Sequence, residues 1–137
     1  MAVECDYTID YTGHMDRQPA EIIGVYHADG GPIGELRYVI GKARGTTHCA
    51  LCDITHGLVR RKSEWNRSCS DFDLPIRLVH LNERTAQEAR ACTLGTPTVL
   101  VRWTDGEVRP LLGPADLELE GSVTRFFDRL TAALNEA

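Results

Sequence analysis

The sequence predicts an α/β domain in which a mixed β-sheet is flanked by helices. Three observations carry that expectation. Strand-like and helix-like segments alternate along the chain, Asp105-Gly106 joins two apolar runs as a hairpin turn does, and an amphipathic segment closes the chain. At 137 residues, one domain can bury roughly two-thirds of the surface that its unfolded chain exposes, so neither metal nor disulfide is needed merely to fold. Residues 1–19 mix polar, aromatic and acidic groups without a clean period and are expected to be an N-terminal extension or edge strand. Residues 20–137 are expected to form the single domain.

Residues 21–27 are rich in β-branched side chains and stop at Asp29-Gly30-Gly31-Pro32, the pattern of a central strand followed by a turn. Ile33, Leu36, Val39 and Ile40 recur at helical spacing, which predicts a helix over 33–43, with a hairpin as the alternative. Thr46 and Thr47 offer an N-cap to a second helix carrying Cys49, Leu51, Cys52, Ile54, Leu58 and Val59, with helical character resuming at 63–66. Residues 75–81 alternate as a strand. Asn82 is the expected cap of a helix over 83–94, which Gly95 ends. A strand entered through Pro97, the Asp105-Gly106 turn, a partner strand from Val108 to Leu112, and a helix over 122–134 complete the chain.

Twenty acidic against fifteen basic residues give a formal charge of −5. That balance opposes duplex nucleic acid as a partner, since affinity for phosphates needs a basic face. No apolar run approaches the twenty or so residues of a membrane span, and the N-terminus lacks the basic-then-apolar order of a secretory signal. The expected location is therefore the cytoplasm, with no membrane partner.

Five cysteines occur, Cys5, Cys49, Cys52, Cys69 and Cys92. An odd count in a reducing compartment argues against a disulfide framework and leaves the Cys49-x-x-Cys52 pair to be explained by redox work, metal binding or core packing. On one helix Cys49, Cys52 and His56 stand at i, i+3 and i+7, within about 60° of one another. A thiol near a helix N-terminus gains thiolate stability from the unsatisfied N–H groups, and a second thiol three residues on can resolve a mixed disulfide. On that reading Cys49 attacks and Cys52 resolves, no cofactor is required, and the partner is a thiol or disulfide, small molecule or protein. The alternative is a Zn²⁺ or Cu⁺ site of Cys49, Cys52 and His56, completed by His48, Asp53 or Cys69. The plain structural reading is that both cysteines pack as small hydrophobes. Cys69 falls in a polar stretch that reads as a loop, Cys92 in a helix facing the core, and Trp65 and Trp103 read as packing residues.

The order of elements, with Thr96-Pro97-Thr98, Asp105-Gly106, Gly113 and the terminal amphipathic helix following at plausible spacings, resembles the thioredoxin-like family. The resemblance implies a cis bond before Pro97, and a substrate-facing place for Thr96 and Pro97 opposite the cysteines. It also admits a non-catalytic adaptor that binds a protein through the groove by Thr96. The chain departs from the family in that its cysteine pair stands some twenty residues beyond the first central strand. The run Cys49-Ala50-Leu51-Cys52-Asp53-Ile54-Thr55-His56-Gly57 also resembles a group of short uncharacterised bacterial proteins, a likeness that implies no mechanism.

Overall fold

A computed structural model describes residues 17–28, 49–56 and 62–137. The expected turn at 29–32, the helix or hairpin over 33–43, the proposed caps Thr46 and Thr47, and His48, Cys5 and Gly57 lie outside the described residues.

Among the described residues, four strands form one mixed sheet. Strand β1 (Pro19–Val25) pairs in parallel with β2 (Ile76–Val79), matching Ile22 to Ile76 and Val25 to Val79. On its other side β1 runs antiparallel to β3 (Thr98–Trp103), matching Ile22 to Val101 and Val25 to Thr98. Strand β4 (Val108–Leu112) pairs antiparallel with β3 and completes the order β2-β1-β3-β4. The β3–β4 turn is the one expected at Asp105-Gly106: Gly106 adopts φ of 92°, the left-handed region that glycine enters without a Cβ clash.

Period-two alternation along the strands supplies two apolar faces. Ile22, Val99, Val101 and Trp103 face one layer, whereas Ile23, Val25, Leu100 and Val108 face the other. The first layer is covered by α1 (Ala50–Thr55), α2 (Ser63–Asp71) and α4 (Val123–Glu136). Its largest members are Trp65 and Phe126, both about 1% exposed, with ring centroids 5.3 Å apart. Burying such side chains contributes roughly 2–3 kcal/mol each. The second face is covered by α3 (Ala86–Ala91), through Ala91 and the neighbouring Cys92.

Helix α3 is held down by charge as well as by packing. The Glu88 carboxylate has no exposed surface, yet it accepts from Arg77 at 2.5 Å on β2 and from Arg102 at 3.4 Å on β3. Glu21 on β1 receives the same two guanidiniums at 3.1 and 3.4 Å.

Several boundaries differ from the sequence expectation, each for a local reason. Instead of one helix capped by Asn82, a 3₁₀ turn (Leu81–Glu83) precedes α3, which is capped by Thr85. Thr85 Oγ1 accepts from the Glu88 N–H at 3.1 Å while Glu88 Oε1 accepts from the Thr85 N–H at 2.9 Å, a reciprocal capping box. Helix α3 ends at Ala91, short of Gly95. Cys69 lies in α2 rather than in a loop, because Trp65, Cys69 and Phe72 recur at helical spacing and pack on the core. Trp65 and Trp103 are packing residues, as expected, although the Trp103 indole N–H is buried without a partner. Among the described residues no helix is long and apolar enough to cross a membrane.

Candidate functional site

The sheet register brings chemistry-bearing residues to one end. Val25 is matched both to Val79 at the end of β2 and to Thr98 at the start of β3. Residues just beyond these three positions, namely Tyr26 and His27, His80, and Thr96 and Pro97, therefore emerge together. The Thr96-Pro97 peptide is cis, as the family resemblance implied.

Helix α1 sets the cysteine pair at this end. Cys49 is itself the N-cap, with extended backbone at φ −144° and ψ 110°, and its sulfur accepts from the Cys52 N–H at 3.4 Å. Sulfur thus occupies the capping position usually filled by a hydroxyl or carboxylate oxygen. A second N–H reaches it from outside the helix: His27 donates to Cys49 Sγ at 3.4 Å. The Cys52 thiol donates to the same sulfur, and that bond is the largest influence on Cys49, lowering its pKa from the ordinary 9.0 to about 7. Burial opposes ionisation, and the N–H groups of His27, Cys52 and Leu51 reinforce it. Neither cysteine is in a disulfide; Cys49 has no exposed surface and Cys52 has 7%.

His56 does not share a helical face with the two sulfurs. Helix α1 ends at Thr55, and His56 is its C-cap in extended conformation, with φ −128° and ψ 152°. The His56 Nδ1 lies 2.6 Å from Thr55 Oγ1 and 3.3 Å from the Tyr26 hydroxyl, which is itself 2.8 Å from Thr55 Oγ1. The expected i, i+3, i+7 alignment therefore fails, because the helix stops one residue before His56 and that residue turns extended. Among the described residues, no group of three or more His, Cys, Asp or Glu side chains is arranged to hold a metal ion.

Thr96 and His27 complete the site. His27 Nδ1 and Thr96 Oγ1 share a hydrogen bond of 2.8 Å, linking the segment after β1 to the turn before β3. The sequence reading placed Thr96 and Pro97 beside the cysteines but gave no role to His27, Tyr26, Thr55 or His80. The Tyr26 ring lies between two imidazoles, 5.7 Å from that of His56 and 5.0 Å from that of His80. The available signal was positional: ligand and reaction sites in α/β sheets gather beyond the carboxyl ends of parallel strands, and Tyr26, His27 and His80 all sit there. Cys69 and Cys92 stand apart. The former packs on the α2 side of the core, and the latter donates its thiol to the Glu88 carbonyl at 3.2 Å.

Comparison with models of protein families, with curated proteins and with solved structures finds no match.

Proposed function

We propose that the protein is a thiol–disulfide redox protein of thioredoxin-like fold, with Cys49 as the attacking sulfur and Cys52 as the resolving one. The observation that carries this reading is the environment of the Cys49 sulfur. It caps a helix, accepts N–H groups from Cys52 and His27, and has a second thiol three residues on. Donors aimed at sulfur stabilise thiolate, the nucleophilic form, and a pKa of about 7 ionises about half of it at neutral pH. The fold reading is supported by a mixed sheet ending in an antiparallel hairpin and a closing amphipathic helix, with the Thr96-Pro97 turn at the same end as the cysteines.

The exchange balances with a substrate disulfide as oxidant. The Cys49 thiolate attacks one substrate sulfur, forming a mixed disulfide and releasing the other sulfur as a thiolate that takes up a proton. Cys52 then gives up its proton and attacks the Cys49 sulfur, forming the Cys49–Cys52 disulfide and releasing the second substrate thiol. The substrate is reduced to two thiols and the protein is oxidised. A dithiol or two monothiols return it by the reverse steps. Because both sulfurs are buried, the first step proceeds from a locally opened state, and small disulfides gain entry more readily than folded proteins.

The test is incubation of the reduced full chain with a small disulfide, followed by peptide mapping. A reversible Cys49–Cys52 bond is expected in the wild type, and none in Cys49→Ser. A wild-type chain that never forms it would overturn the reading.

A further inference from the structure

We propose that His27 is a positioning residue for Cys49: its backbone N–H holds the sulfur, and its ring, anchored on the Thr96 hydroxyl, holds that N–H in place. The inference deepens the redox reading and rests on it.

The geometry follows from the sheet. The Tyr26 N–H continues the parallel ladder by donating to the Val79 carbonyl at 2.9 Å, and the Ala28 carbonyl accepts from the Leu81 N–H at 2.8 Å. His27 and Ala28 form a bend just after β1, so the His27 N–H sits between these two contacts to the β2 side without belonging to the ladder. On the other side β1 pairs with β3 as far as Val25 and Thr98, and His27 follows Val25 by two residues just as Thr96 precedes Thr98 by two. The His27 N–H therefore leaves the ladder and donates to Cys49 Sγ at 3.4 Å, 22 residues away. What keeps it aimed is the side-chain bond across the same pair of positions, His27 Nδ1 to Thr96 Oγ1 at 2.8 Å. His27 is thus held by the β2-side bonds of its neighbours Tyr26 and Ala28 and by its own ring on Thr96, while its N–H donates to the sulfur.

The Thr96 hydroxyl thus acts on the reacting sulfur through His27, a different task from contact with substrate. Thr96→Val keeps the shape and β-branching of the side chain and removes the hydrogen bond, whichever partner donates. Thr96→Ser keeps the hydroxyl. His27→Ala removes the anchor from an exposed ring and leaves the N–H in the chain.

The experiment measures, in the reduced full-length protein at pH 7, the ultraviolet thiolate absorbance that disappears on Cys49→Ser. Thr96→Val and His27→Ala should each lower the thiolate-to-thiol ratio by roughly threefold, the scale of one lost hydrogen bond. The double substitution should lower it no further, since both remove one contact, and Thr96→Ser should restore it. Unchanged thiolate in Thr96→Val and His27→Ala would overturn the proposal, as would equal losses in Thr96→Val and Thr96→Ser. If Thr96→Val does not fold, His27→Ala carries the same expectation alone. Failure of the redox reading looks different: the wild type would form no Cys49–Cys52 disulfide, whatever these thiolate ratios are.

Discussion

The backbone N–H of His27 donates to the sulfur of Cys49 at 3.4 Å, joining the end of the first described strand to the cap of the helix that carries the cysteine pair. That contact and the Cys52 thiol give the sulfur donors from two separate elements. The expected consequences are measurable.

Cys52→Ala removes the largest influence that lowers the Cys49 pKa. The thiol should then titrate clearly above its present value of about 7, because burial still disfavours the anion while the strongest opposing donor is gone. A pH profile of thiolate absorbance checks this. An unmoved midpoint would show that the N–H groups alone suffice.

The lowered pKa also has a sign in stability. A thiol that ionises near 7 when folded and near 9.0 when unfolded adds nothing below pH 7 and adds its full share above pH 9. Relative to Cys49→Ser, the reduced wild-type chain should gain about 2 kcal/mol of unfolding free energy as pH rises from 7 to 9. Denaturant unfolding at the two pH values measures the difference.

Glu88 is the buried charge that ties α3 to the sheet. Burial disfavours its ionisation, but the Arg77 hydrogen bond, the Thr85 N–H and the charges of Arg77 and Arg102 outweigh it and hold the carboxyl below its ordinary range. Glu88→Gln leaves Glu21 as the carboxylate shared by the two partly exposed guanidiniums and should destabilise the fold by about 1–2 kcal/mol at pH 7. The folded pKa is depressed, so the stabilisation is complete above the ordinary carboxyl pKa and is lost as pH falls below it. The gap between variant and wild type should therefore narrow in acid.

Gly121 has φ of 73°, and a Cβ there would stand 3.1 Å from the Asp53 carbonyl oxygen of α1. Backbone at that distance yields less readily than a side-chain tip. Gly121→Ala should cost about 1–2 kcal/mol in a thermal or denaturant melt, whereas Gly106→Ala, which meets nothing within 4 Å, should show the positive-φ penalty alone.

Much of the framework was legible because its signals are local. Asp105-Gly106 specified the hairpin, and Val123, Phe126 and Leu130 marked the buried stripe of α4. The boundary of α3 was also written in the chain, as Thr85-x-x-Glu88, but Asn82 competed for the same role and the capping box decides between them. The short extent of α1 was not legible. Helical spacing carried the expectation through His56, and nothing local announces that this residue turns extended to meet Thr55 and Tyr26. The cysteine pair was found by its spacing, whereas His27 was not found. Its tie to Cys49 spans 22 residues and exists only once the sheet register is set.

The most direct test of the central claim is a redox titration of the metal-free full chain in thiol–disulfide buffers, with the Cys49–Cys52 disulfide read by peptide mass spectrometry after trapping. We expect one reversible two-electron transition that consumes both thiols and vanishes in Cys49→Ser and in Cys52→Ser. A wild-type protein whose two sulfurs stay reduced under oxidising buffer, or pair only with Cys69 or Cys92, would contradict it.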